Sequence, residues 1–363
     1  MTSSTATSAS AESTQLAERV VENLSRAHHE LMAADQSVVL IGEDLLDPYG
    51  GAFKVARGLS TAFPDRVLTT PISEAGLTGF AAGLALAGQR PIVEIMFGDF
   101  ISLAFDQIWN FLSKSVTMYG RRLELNAVIR CPVGGNRGYG ATHSQSPQKH
   151  FIGIPDLELY EVSPFHDNVP LLARLANRGN PVILFEDKSL YTRRMLPGDE
   201  VSELLSRRLL EGRDGDGWAH VFIDRDAEPD VVIITPGGLV SRCVDAVEEL
   251  LVEHELEVEL LVPQRLYPFD PTPVLPILDR AGHVVVIEEG TGGGSWGTEV
   301  AVTLYEHARA DGSSGLARPV HRLSSESSII PCARHLEQQV LIQTADIVEA
   351  VATLAGGEEV EHA

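Results

Sequence analysis

The sequence predicts an α/β protein of two domains, the first a mostly parallel sheet covered by helices on both faces, the second smaller. Three observations predict it. Short, β-branched, near-continuously apolar runs alternate with amphipathic stretches. The chain of 363 residues is long enough to bury two cores. A charged, glycine-containing stretch from about 199 to 229 interrupts the alternation and reads as a linker.

In chain order, residues 38–44, 66–70, 91–96, 125–133, 157–164 and 181–187 read as strands, the last as PVILFED. Between them, 74–88, 100–118 and 167–177 have the length and apolar spacing of helices. After the linker, strands are expected at 231–238, 258–263 and 283–290, and helices at 240–255, 296–310 and 344–354. The division is a polar tail at 1–14, a first domain at 15–198, the linker at 199–229, a second domain at 230–354 and an acidic tail at 355–363. Open parallel sheets bind ligands at the carboxyl ends of their strands, and the unusual residues fall there.

Composition excludes several classes. The net charge is −23, and residues 199–363 carry 31 acids against 11 arginines with no lysine. A surface this acidic disfavours nucleic acid and anionic membranes; it serves solubility, or docking of a basic partner. No run approaches the roughly 20 apolar residues that cross a bilayer. The first dozen residues lack the charged and apolar regions of a targeting signal. Cys131, Cys243 and Cys332 have neither disulfide-framework nor CxxC spacing, so a reducing cytoplasm is expected.

Glu74 opens a helix directly after a strand, in TTPISEAGLTGFAAGLALAG. There a carboxylate suits the helix dipole, with Ser73 or Thr70 as cap. Glycines at 76, 79, 83 and 88 each cost about 1 kcal/mol against alanine within a helix. That cost points to close approach of another backbone, as across a subunit interface. Phe97 and Phe100 fall at the same sheet end, as core or as a platform for a ring. Asp106 and Gln107 are interface hydrogen-bonders or solvated. The long polar loop GGNRGYGATHSQSPQKHF (134–151) holds His143 and His150; Thr142, Ser144 and Gln145 could fix one tautomer of His143.

Other schemes fail. The sequence has no GxGxxG in a βαβ context, no Walker A and no HExxH. GTGGGSWG (290–297) lacks a partner at a fixed offset and reads as a tight turn. Gly215-Asp216-Gly217 begins like a diphosphate–metal motif, but no asparagine follows Asn180 anywhere, and the triplet lies in the charged linker.

Taken together, TPISEAGLTGFAAGLALAG, RPIVEIMFGDFISLAFDQI, GYGATHSQSPQKHF, NPVILFEDKSLY and VVVIEEG…GGSWGTEVA resemble the β subunit of the E1 component of 2-oxoacid dehydrogenase complexes. Pyruvate and branched-chain enzymes are the relevant relatives. The resemblance implies a transketolase-type pyrimidine-binding domain followed by a transketolase C-terminal domain. It implies thiamine diphosphate shared with an α subunit in an α2β2 heterotetramer, with Mg²⁺ and diphosphate held by the α subunit. Glu74 matches the glutamate at N1′ of the aminopyrimidine, where a carboxylate favours the 4′-imino tautomer that takes the C2 proton. Ile72 matches the residue whose backbone lies near the 4′-amino group, Phe100 the aromatic on the pyrimidine, and His143 the histidine near the reacting carbon. The expected reaction is oxidative decarboxylation of a 2-oxoacid with acyl transfer to lipoamide on an E2 acyltransferase. Asn180 resembles one ligand of a structural potassium site, whose neighbouring acid is replaced here by Arg178.

The chain departs from the family at VPQRLYPFD and at SSESSIIPCARHLE, both in the second domain. These departures allow an E1-like subunit of a specialised biosynthetic or acetoin-cleaving enzyme. A third reading, a non-catalytic assembly subunit that keeps only the fold, is opposed by the presence together of Glu74, Phe100 and His143.

Overall fold

The computed structural model describes residues 17–310 and 319–356. The expected 1–14 tail and residues 357–363 of the expected acidic tail lie outside the described residues. The first domain opens with α1 (Val20–Ala34), whose Val20, Leu24, Ala27 and Leu31 share one buried face; Glu22 accepts from the Arg19 amide at 2.7 Å to close its first turn. There follow β1 (Val38–Gly42), the one-turn α2 (Leu59–Ala62), β2 (Val67–Thr69), α3 (Glu74–Leu86) and β3 (Arg90–Glu94). Beyond β3 come β4 (Val128–Val133), β5 (Glu158–Glu161), α4 (Asn168–Leu175) and β6 (Val182–Asp187).

The expected regular helix over 100–118 is instead a 3₁₀ segment, Gly98–Ala104, followed by a π-wound segment, Gln107–Ser113. Ile101, Ala104, Ile108 and Leu112 still form one buried stripe. Apolar spacing reports the stripe and is blind to small changes of winding, which is why the irregularity was not foreseen.

The span expected as a linker is not one. It holds β7 (Ser206–Glu211) and β8 (Gly217–Phe222), an antiparallel hairpin on the edge of the second sheet. Part of the polar sequence that suggested a linker is buried and bonded: His220 meets Glu259 at 2.8 Å, and Arg207 donates to the carbonyls of Gly198 at 2.8 Å and Phe165 at 3.1 Å. The second domain continues through β9 (Val231–Ile234), α5 (Val240–His254), β10 (Val258–Pro263), β11 (Arg265–Tyr267) and the short α6 (Leu275–Leu278). It ends with β12 (His283–Thr291), α7 (Trp296–Ala310), β13 (Val320–Ser325), α8 (Arg334–Val340) and α9 (Thr344–Ala355).

The second sheet runs β13-β12-β9-β10-β8-β7, parallel except for the hairpin. The first runs β11-β5-β6-β4-β3-β1-β2, with every pair parallel but β11–β5. β11 comes from the second half of the chain, so the expected domain boundary is crossed by a strand. Side-chain alternation sends Leu40, Ile92, Val128 and Leu184 toward α1 and α4, and Ile41, Val93, Ile129 and Ile183 to the opposite face. That opposite face shares one continuous core with Val232, Ile234, Leu261 and Trp296 of the second domain.

Beneath the carboxyl ends of β3, β4 and β6 the buried Arg130 donates to Glu94 at 2.6 Å and to both oxygens of Glu186 at 2.7 and 2.8 Å. Tyr191 adds a bond to Glu186 at 2.7 Å. Deleting the guanidinium strands two buried carboxylates, so Arg130→Met is expected to destabilise the chain by about 3–5 kcal/mol in urea unfolding. A loss under 1 kcal/mol would show that the triad is dispensable.

Candidate functional site at the carboxyl edge of the first sheet

Parallel pairing fixes which loops meet. Gly42 stands opposite both Thr69 and Glu94, and Glu94 opposite Arg130, so the segments after β1, β2, β3 and β4 leave the same sheet edge. These segments carry Glu43, Glu74, the pair Phe97 and Phe100, and the loop with His143.

Glu74 is the first residue of α3 and is 5% exposed. Ser73 caps the helix, its Oγ accepting from the Gly76 amide at 3.2 Å, so the Glu74 carboxylate is not needed as a cap. Ile72, two residues earlier, is 82% exposed, an unusual position for isoleucine. Glu43, at the end of β1, was not singled out from the sequence. It is buried and accepts from the Ser73 amide at 3.3 Å. Burial first, and the Glu74 charge second, hold its carboxyl above the ordinary range. An acid directly after an apolar strand, in IGED, was the signal that could have found it.

His143 sits between two rings in edge-to-face geometry, its centroid 4.6 Å from that of Phe97 and 5.1 Å from that of Phe100. Thr142 Oγ1 lies 3.0 Å from His143 Nδ1, which fixes the ring and leaves Nε2 for other chemistry. Phe97 and Phe100 are half-buried and 6.2 Å apart. The 98–104 segment that carries Phe100 packs on α3, which carries Glu74. His150 is exposed and lies in a separate 3₁₀ turn, Gln148–Phe151.

The four glycines of the Glu74 segment divide. A Cβ on Gly76 would meet the capping Ser73 Oγ at 2.7 Å, and one on Gly79 would meet Gln107 at 3.0 Å. Gly88 takes a φ of +88° beyond the helix end. Gly83 faces open space. Asp106 accepts from Asn110 at 2.7 Å and from Gln107 at 3.2 Å, both within its own segment.

Asn180 lies apart from this group, just before β6 and thus at the opposite edge. Its Nδ2 donates to Glu158 at 3.0 Å and its Oδ1 accepts from Arg122 at 2.6 Å. Positive charge beside Glu158 is supplied by Arg178 at 2.7 Å, which also reaches Asp216 at 3.2 Å. Asp216, the centre of the Gly215-Asp216-Gly217 triplet, further pairs with Arg265 at 3.0 Å and accepts from Tyr160 at 3.0 Å. The triplet is therefore a hairpin turn that buries an ion-paired acid. At 290–297 the amides of Trp296 and Gly297, which open α7, donate to the Glu288 carboxylate at 3.1 and 2.8 Å. That helix end already holds an anion. Among the described residues no group of three or more His, Cys, Asp or Glu could hold a metal ion.

Residues 19–194 match the transketolase pyrimidine-binding domain and residues 219–347 the transketolase C-terminal domain. The chain is 32% identical over 333 residues to the pyruvate dehydrogenase E1 component subunit beta of Leifsonia xyli, covering 92% of this chain and 93% of that one. It is 31% identical over 344 residues to the acetoin:2,6-dichlorophenolindophenol oxidoreductase subunit beta of Cupriavidus necator, covering 92% and 96%. A solved split-gene transketolase, described as an inactive beta4 tetramer, shares the fold with a TM-score of 0.69 at 20% identity, covering 93% of this chain and 98% of that one. Thiamine diphosphate is the cofactor that this family implies, and the buried Glu74, the exposed Ile72 turn and the Phe100–His143 pair are the residues that could hold its pyrimidine end. The chain belongs to the family of E1 β subunits of 2-oxoacid dehydrogenases, built of the transketolase pyrimidine-binding and C-terminal domains.

Proposed function

We propose that the chain is the β subunit of a thiamine-diphosphate-dependent E1 enzyme that oxidatively decarboxylates a 2-oxoacid and passes the acyl group to lipoamide on an E2 partner. The observation that carries the proposal is the meeting of buried Glu74, Phe100 and His143 at one sheet edge. Thiamine diphosphate, when bound, supplies the electron sink for decarboxylation. Glu74 would hold a proton at N1′ of the pyrimidine, the Ile72 backbone would accept from the 4′-amino group, and Phe100 would offer the ring an apolar surface. His143, oriented through Nδ1, exchanges a proton with the substrate at Nε2.

The diphosphate and Mg²⁺ fall to an α subunit in an α2β2 assembly. One face of the chain supports such a partner. The packed pair of α3 and the 98–113 segment exposes Phe80 at 56%, Leu103 at 59% and Trp109 at 46%, beside the open Gly83. Large apolar side chains clustered this way mark an interface. The unpaired thiols, with Cys131 and Cys243 buried and Cys332 exposed, suit a reducing cytoplasm.

Titration calorimetry tests the division of labour. The chain alone is expected to bind thiamine diphosphate at least about 10²-fold more weakly than the assembled pair, because two or more charge-assisted contacts are missing. Equal affinity without a partner refutes it. A second reading, acetoin cleavage, rests on the nearly equal similarity to the acetoin and pyruvate relatives. Assay of the α/β pair with an artificial electron acceptor against 2-oxoacids and acetoin separates the two.

A further inference from the structure

The loop that carries His143 is held mainly from outside itself. Its two ends are tied by Glu289 of β12, which accepts from the Gly135 amide at 2.8 Å and from Ser146 Oγ at 3.2 Å. Its middle is gripped by α8. Glu337, 1% exposed, turns its side chain out of that helix and accepts from the backbone amides of Arg137 at 3.3 Å and Gly138 at 3.3 and 3.1 Å. The Glu337 amide is itself satisfied by the Ala333 carbonyl at 2.9 Å, so the carboxylate serves the loop and not its own helix end.

The surrounding contacts leave the loop no slack. Asn136, Gly138 and Gly140 have φ of +61°, +70° and +76°. A Cβ on Gly135 would collide with Leu341, and one on Gly140 with the thiol of Cys332. Gln343 Nε2 donates to Asn136 Oδ1 at 3.2 Å. Leu341, Cys332 and Gln343 flank α8 in sequence, and His143 lies three positions beyond Gly140. A backbone with several left-handed residues is easily rearranged unless its amides are claimed.

We propose that Glu337 is a positioning residue for His143: through the Arg137 and Gly138 amides, the second domain sets the active-site loop of the first. The proposal rests on the reading that His143 serves the reaction, and its test is arranged so that the two can fail separately. Glu337 touches neither Glu74, Ile72 nor Phe100, so its loss should disturb turnover and spare binding.

The first measurement needs no activity. In hydrogen exchange on the full chain, Glu337→Ala should speed exchange at residues 137–138 by about tenfold or more while β3 and β4 keep their protection. The second uses the chain assembled with its α subunit. There kcat should fall by about tenfold or more, with KM for the 2-oxoacid within about twofold of the parent, as for an interaction that only orients. Glu337→Gln, which keeps a carbonyl acceptor and the side-chain volume, should restore loop protection and most of kcat; it also serves if the alanine variant fails to fold. In a His143→Ala background, Glu337→Ala should cost no further turnover. Unchanged exchange at 137–138, or losses that multiply in the double variant, overturn the proposal. Wild-type turnover in His143→Ala alone refutes instead the role of the histidine, and the exchange result then still decides whether Glu337 holds the loop.

Discussion

Glu74→Gln is expected to lower turnover of the assembled enzyme by at least about 10²-fold, the range for loss of a proton-transfer partner. Glutamine keeps the volume of a side chain that is 5% exposed and leaves the Ser73 cap intact, so the helix itself survives. What disappears is the negative charge needed to hold a proton against the pyrimidine. The same variant should be more stable than the parent at neutral pH. Glu43 carries a carboxyl raised by burial and by the Glu74 charge. Stability from a raised carboxyl is fully present below its unfolded value of about 4.3 and is lost as pH rises through the folded value. Removing Glu74 lowers that folded value and reduces the loss. The gain should therefore appear at neutral pH and vanish in acid, read by thermal midpoints across pH. Near-parental turnover would sink the assignment of Glu74; reduced turnover with reduced stability at neutral pH would point to a folding defect instead. Activity and stability should move in opposite directions.

His143→Ala should reduce acyl transfer to a lipoyl acceptor by about 10²-fold or more, with thermal stability nearly unchanged. The ring is half-buried, and Phe97 and Phe100 remain in edge contact with one another after it is gone. Measuring decarboxylation with an artificial acceptor beside acyl transfer to a lipoyl domain divides the loss between the two half-reactions. Equal parental rates in both would leave the histidine a mere filler between two phenylalanines.

Both residues were visible in the sequence because each stands where a local rule is strained. Glu74 heads a helix rich in glycine, and His143 lies in a long polar loop within a compact domain. The parallel order of the first sheet was legible from apolar strands alternating with helices. The hairpin at 206–222 was not. Its charges looked solvated because their partners, Glu259 and the carbonyls of Gly198 and Phe165, come from other parts of the chain. Glu43 and Glu337 were missed for a similar reason. A carboxylate that accepts from a distant backbone amide leaves no periodic trace, and Glu337 meets Gly138 across 199 positions of sequence. Asn180 was read as a ligand of a structural potassium site by resemblance alone; its place ahead of β6 puts it at the edge opposite Glu74 and His143.

The strand Arg265–Tyr267 has a bearing on how such a chain can be divided. It closes β5 of the first sheet although it arises well inside the second half, and the two sheets share a single apolar interior. Cutting after residue 198 would bare the edge of β5 and one whole face of the first sheet at once. An exposed edge of this kind is a template for pairing with other chains. The two halves are thus expected to fold together, and a chain cut between them to stay soluble only when both pieces are made together.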